Sequence, residues 1–559
     1  MIKFKVRMLS VALGLFASPV FAHTVYENGH IYTVNEQQPM ASVMVVGQGK
    51  ILYVGGNDGA RQFKANASEV VNLGGKTVLP GFIESHAHPT TVAVMQAGDF
   101  VHINGAASLP QIITQLKDYL TAHPKADYVL AQGFNVVSLG LPQGILPTAA
   151  DLDNVSKTVP IVVYDSGMHA GWANSAALKL AKVDANTPDP IPGKHYFERD
   201  NQGNPTGFMH ESAMHNVVNA QQFNSVENVA GQLQSILNTY HSLGFTAITD
   251  VGDTFSTTPA AIARLNDQGK LKMYYQRGYF YDAAKSTEQN IASLKALHEQ
   301  YSKGDLSMNL YKLFMDGTIE MDSAAMYKPY PNGKIVEPFL SRKDINDNVA
   351  AALKAGFSVH VHAIGDKAQQ VILDVFDANK RINPHLARVI AHNQVFEPQG
   401  VQKFAAMKDN LFLQTTPNWA LISEYDDTKV KIGNDAYRRQ FLLGQAARRG
   451  VAVTFGSDYP ANTFDAVNPF SQMYHAIKRG KPNAGYLTPT EAAMSLSQSL
   501  QAYTINGAKQ LGINEITGSL EKGKNADFII VDTDIGKAGL EALKNTNVLA
   551  TYFKGEKVY

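Results

Sequence analysis

Eight short apolar runs rich in β-branched and aromatic residues recur along this chain, with helical patterns between them. In order they read TVLPGFI, FTAITDV, KMYYQRGYF, NLYKLFM, FSVHVHAI, ARVIAHNQ, LFLQTT and VAVTFGSD. A strand followed by a helix pairs in parallel with the next strand, because the crossover returns the chain to the same end of the sheet. Eight such units close a parallel sheet on itself, so the expected fold is α/β, a (β/α)8 TIM barrel. From the second run onward the spacings suit a strand, a helix and two loops. The first gap, from His88 to about Phe245, is far longer. It calls for an insertion over about residues 95–235, read as a cap over the barrel mouth.

The two ends of the chain have another character. Short β-rich runs broken by Gly and Asn occupy Thr24 to Val71, and the closing stretches GSLEKGKNADFIIVD and NVLATYFKGEKVY resemble them. Neither end can bury a good core alone. Together, residues 23–79 and 508–559 are expected to form one small antiparallel, β-sandwich-like domain that the chain leaves and re-enters, with the barrel at 80–507.

Residues 1–22 read as a cleavable export signal. Lys3, Lys5 and Arg7 precede an apolar run from Met8 to Ala17, and Val20-Phe21-Ala22 closes it. The run is too short for a membrane span, which takes ~20 residues. The mature chain is expected in the periplasm or the medium, free of the membrane. Without Lys3, Lys5 and Arg7 it keeps 46 Lys and Arg against 49 Asp and Glu, a net charge near −3. That balance argues against nucleic acid as a partner. With 0 cysteines, any metal must be held by His, a carboxylate or a modified Lys. The expected partner is a small-molecule substrate, and a homo-oligomer stays open.

Active sites of such barrels sit at the C-terminal ends of the strands, so polar residues ending the apolar runs carry most weight. The first run leads into His86 and His88, which project to one side because strand side chains alternate. Such a pair alone is a weak sign of a metal. Near its end the fifth run carries His362 and the sixth His392, and the eighth ends with Asp458, a carboxylate able to ligate and to accept a proton. Lys312 lies on the fourth, in phase with Asp316. As an ammonium it has donors only and cannot bind a cation. His360 shares the face of His362 one layer deeper, as an interior hydrogen-bonded histidine. In the insertion His169 is placed to reach the substrate. Trp172, Tyr164 and Phe208 suit an apolar substituent or the cap's own core, while His195, His210 and His215 read as structural.

In motif order and strand order the chain resembles the amidohydrolase superfamily, and within it amidohydrolase family 3, the branch that includes N-substituted formamide deformylase. GFIESHAH, YKLFMDG, VHAIGDKA, VIAHNQ, TFGSDYP, LTPTEAAMSLS, GSLEKGKNADFIIVD and HAGWANSAAL carry the likeness. The resemblance implies two divalent metal ions, with zinc expected. His86 and His88 hold the first, His362 and His392 the second, and Lys312 bridges them as a carbamate formed with carbon dioxide. Asp458 contacts the first metal and serves as general acid and base. Asp316, His169 and Trp172 are the candidate substrate contacts. Two departures stand out. Glu84, which this reading sets off the chelating face, replaces a commoner Asp, and the unusual TIEMDSAAM after Gly317 is expected at the mouth.

The expected activity is hydrolysis of a C–N bond in an amide or formamide-like compound. A lactone, ester or cyclic amide could use the same site. A metal-free binding or regulatory protein on the same barrel is the alternative of another class.

Overall fold

In the computed structural model, residues 22–98, 100–142, 144–219, 225–407, 410–421, 428–462, 464–479 and 493–559 are described. The export signal up to residue 21 and the start of the LTPTEAAMSLS motif, Leu487 to Ala492, lie outside the described residues.

The eight expected runs form the eight barrel strands, which are Phe82–Ala87, Phe245–Asp250, Tyr274–Phe280, Leu306–Phe314, Ser358–Ala363, Arg388–His392, Leu411–Thr415 and Ala452–Phe455. Every adjacent pair is parallel. Helices cover the outer face and side chains fill the inner one, so strands such as Ser358–Ala363 are buried throughout. The first and eighth strands meet through side chains and loop ends. Ser85 Oγ donates to Phe455 O at 2.5 Å, and Asp458 N donates to His86 O at 2.8 Å. The fold is therefore a (β/α)8 barrel.

The run TVLPGFI is divided between two sheets. Thr77–Pro80 pairs with Phe528–Val531 of the terminal sheet, and Phe82–Ala87 begins the barrel. At the switch Gly81 N donates to Asp527 O and Phe82 N to Gly244 O. A Cβ on Gly81 would lie 2.2 Å from Thr246 Oγ1, so only glycine lets the chain pass there.

Both chain ends meet in one eight-stranded sheet. It is mixed rather than antiparallel, because His23–Tyr32 runs parallel to Glu69–Asn72 and to Thr77–Pro80. All eight strands are joined by hydrogen bonds into one sheet, with Glu69–Asn72 branching from His23–Tyr32.

The long first gap contains a six-stranded sheet whose strands lie between Val101 and His210. Trp172, Phe134 and Phe208 pack at its centre. Helix Val226–Ser242 instead packs on helices Pro89–Ala97 and Thr258–Asp267 of the barrel ring, so the inserted sheet ends well before residue 235.

Candidate active site

Between the strand ends and the inserted sheet lies a cavity of about 840 Å³ including its mouth. His86, His88, Lys312, His362, His392 and Asp458 all line its barrel side. Their convergence follows from register: Lys312 is level with His360, Phe314 with His362 and Ala363 with His392.

The tightest group is His86, His392 and Asp458, whose donor atoms all lie within 4.8 Å of one another. His86 Nε2 is 3.2 Å from Asp458 Oδ1, and His88 Nε2 is 3.4 Å from the same oxygen. His392 Nδ1 lies 3.8 Å from Asp458 Oδ2 and has no hydrogen-bond partner, although it is buried. The opposite ring nitrogens of the first two are engaged. His88 Nδ1 is 2.9 Å from Gly252 O, and His86 Nδ1 is 3.0 Å from Gln414 Oε1. A ring that donates through Nδ1 leaves its Nε2 lone pair free, the arrangement of a metal-ligating histidine. His362 stands next in line, its ring centroid 4.5 Å from that of His392.

The electrostatics agree with this donor set. Burial holds His86 down to about 4 and puts His362 and His392 well below the ordinary imidazole range, so all three are neutral, as metal binding requires. Burial works against the Asp458 charge, yet the surrounding imidazoles hold it well below the usual carboxylate range. Burial pushes Lys312 down to about 7. Its Nζ sits 4.9 Å from the Phe314 ring centroid. An unpartnered buried imidazole nitrogen beside a carboxylate, with neutral imidazoles around them, fits a divalent cation. His392 and Asp458 adopt left-handed backbone, with φ of 73° and 54°. Such conformations persist in non-glycine residues only where the surroundings impose them, and they cluster at functional sites.

Several expectations need correction. Trp172 does not meet the cavity; it is fully buried in the cap core and its Nε1 donates to Thr148 O at 2.7 Å. Phe208 is buried beside it, whereas Tyr164 lines the cavity. Asp316 faces away from the substrate space and accepts the backbone N–H groups of Ala325, Ile364 and Gly365 at 2.8–2.9 Å, knitting two loops together. Glu84 is not set apart from the ligands. It is fully buried, accepts His86 N and Ser457 N at 3.0 Å, and burial pushes it up to about 8. The unusual segment after Gly317 does not line the cavity: Ile319, Ala324 and Met326 pack with Tyr330 and Ile364.

His360 lies in the interior, its Nε2 3.0 Å from His86 Nδ1. His169 reaches the cavity from the inserted sheet, held at 2.8 Å by Glu211 and facing the His362 ring. Burial opposes its charge, but Glu211 raises it to about 9. His210 pairs with Glu198 away from the cavity, whereas His195 and His215 line it. Gln414, Glu211 and Asp253 were not singled out by the sequence reading. Gln414 lies next to the end of the seventh strand and was open to the same strand-end argument as Asp458. The other two depend on long-range folding of the insertion and of the loop after the second strand.

A family model described as the amidohydrolase family matches residues 69–559. The chain belongs to the amidohydrolase family. Exoenzymes regulatory protein AepA of Pectobacterium carotovorum subsp. carotovorum is 82% identical to this amidohydrolase over 452 residues, 81% of this chain and 97% of its own. N-substituted formamide deformylase of Arthrobacter pascens is 27% identical over 94% of this chain and 96% of its own. Among solved structures, that of an uncharacterized metal-dependent hydrolase from Pyrococcus horikoshii OT3 shares the fold, with a TM-score of 0.71 at 23% identity over 93% of this chain and 99% of that one.

Proposed function

We infer that this amidohydrolase is an exported metal-dependent hydrolase that cleaves the C–N bond of an amide or formamide-like compound. The observation that carries the reading is the convergence of His86, His392 and Asp458 donors within 4.8 Å, with the buried His392 Nδ1 left unpartnered, at the mouth of the barrel. His86, His88 and Asp458 would hold one divalent ion, His362 and His392 a second, with zinc the expected metal. Lys312 would join them as a carbamate. Its amine, held near neutrality by burial, can attack carbon dioxide, forming an N–C bond and releasing one proton.

When bound, the ions supply Lewis acidity that polarises a carbonyl and makes water acidic near neutral pH. The chain's own groups do the rest. Asp458 takes a proton at a carboxylate oxygen and returns it to the leaving nitrogen, which needs hydrogen-bond reach to both atoms. His169, fixed by Glu211 and charged at neutral pH, donates a hydrogen bond to the substrate from above. Gln414 and Gly252 O orient the first two histidines.

The name of the 82% identical relative favours a second reading, a regulator without turnover. One experiment separates the two. Protein recovered from outside the cytoplasm, purified without chelator, is assayed on a panel of N-acyl and N-formyl compounds, and its first residues are sequenced. Release of free amine by protein that starts at His23 supports the hydrolase. Protein that carries no divalent ion and releases no amine from any compound supports the regulator.

A further inference from the structure

A side lobe opens off the main cavity where the inserted sheet meets the third and fourth barrel strands, with about 400 Å³ of space including its mouth. Its lining is mostly apolar, with Ile191, Phe280, Tyr281, Phe314 and Leu340 as the large side chains and Ser212 and Thr254 adding neutral hydroxyl-bearing ones. Phe280 and Phe314 also line the main cavity, as do His195 and His215, so the lobe is continuous with the space above the metal ligands. None of its described lining residues is Asp, Glu, Lys or Arg.

At the junction His195 has its Nδ1 2.7 Å from Ser212 Oγ, while its Nε2 is buried and has no partner. The residue is 8% exposed. A buried nitrogen without a hydrogen bond is costly, and a ligand atom beside it removes the cost. Burial holds both His195 and His215 down to about 4, so neither brings a charge. Lys194, next in sequence, turns away and donates to the Pro338 and Phe339 carbonyls.

We propose that this lobe is the specificity subsite of the enzyme, and that it receives an uncharged apolar substituent on the amide nitrogen, with His195 Nε2 giving or taking one hydrogen bond at its entrance. The inference rests on the hydrolase reading and adds the substrate class to it. An alkyl or aryl group there leaves water and contacts the Phe280 and Phe314 rings. An ammonium or carboxylate would lose its hydration with no counter-charge in the lobe, which disfavours it strongly. A short substituent leaves the lobe empty and forfeits the binding energy.

The test compares N-methylformamide, N-hexylformamide and N-(6-aminohexyl)formamide on the metal-loaded enzyme, each cleaved by water to formate and an amine. The hexyl compound is expected to exceed both others in kcat/KM by at least ~30-fold, the scale on which hydrophobic pockets discriminate. Ile191→Trp, at a half-buried position on the inserted sheet's loop, fills the lobe and should lower the hexyl-to-methyl ratio by at least ~10-fold. Leu340→Trp fills it from the opposite wall and should do the same. A wild-type ratio near one, or a ratio unchanged in both folded variants, overturns the subsite. Calorimetry with N-hexylacetamide separates this from failure of the hydrolase reading. If neither the formamides nor any compound of the N-acyl panel is cleaved, that reading falls. The subsite then stands if Ile191→Trp weakens N-hexylacetamide binding ~10-fold, and falls if the amide does not bind or binds both proteins equally.

Discussion

Asp458 faces its histidine partners because the residue two before it has no side chain. A Cβ on Gly456 would lie 2.7 Å from both Glu84 Oε1 and His86 N, inside the contact limit of buried and fixed atoms. Gly456→Ala is therefore expected to displace His86 or the Glu84 carboxylate that braces it, at a cost of about 1–3 kcal/mol typical of overpacking. Bound metal and kcat/KM should both fall at least ~10-fold, the scale of damage to groups that orient ligands. A variant with normal metal content and turnover would show that Gly456 is mere spacing. At this scale the ligands were legible, since His86, His362, His392 and Asp458 sit where an apolar run stops and a polar residue is conspicuous. Trp172 and Asp316 were misjudged because nothing local tells a core aromatic, or a carboxylate that ties loops, from a substrate contact. His195 was passed over because its place depends on how the insertion folds back.

Among the elements, the inserted sheet is fastened to the barrel beside the side lobe. Lys194 donates to Pro338 O and, at 3.0 Å, to Phe339 O, and the His195 ring meets Phe339 edge-on at 4.5 Å between centroids. Lys194→Met keeps the aliphatic stem and removes both charge-assisted bonds. Its partial exposure puts the loss at the low end of the usual range, about 1 kcal/mol. A Tm lowered by about 1–3 °C is expected. KM should rise several-fold with kcat little changed, because the walls shift while the ligands stay. Unchanged KM would mean that the fastening does not shape the substrate space. The eight barrel strands were readable because each is a buried apolar run of ordinary length. The division of TVLPGFI was not, since apolar character is continuous across Gly81 and only the change of hydrogen-bonding partner marks the boundary.

Across the whole molecule, Asp527 links the terminal sheet to the barrel. It is 2% exposed and accepts Lys554 N at 2.7 Å and the Tyr274 hydroxyl at 3.1 Å. Burial pushes it up to about 6. A carboxyl raised in the folded state binds its proton more tightly there than in the unfolded chain, where ~3.9 is usual. Its contribution is thus most favourable below about pH 4 and is lost as pH rises through 6, on the order of 1–3 kcal/mol. Asp527→Asn should gain Tm relative to the parent as pH climbs from 4 to 6.5, and a constant difference would contradict this. The joining of the two ends was legible from their shared β character. The mixed pairing was not, because parallel and antiparallel edges draw on the same residues. The claim on which the functional reading depends is that the six converging side chains hold catalytic metal. Its most direct test is elemental analysis of protein purified with bicarbonate and without chelator, alongside Asp458→Asn and His86→Ala, with turnover measured on the same preparations. The account predicts two divalent ions per chain, a clear loss of metal in His86→Ala, and in Asp458→Asn a turnover loss of ~10²-fold or more that exceeds its loss of metal. A wild-type protein that binds no divalent ion, or turnover that survives Asp458→Asn, would contradict it.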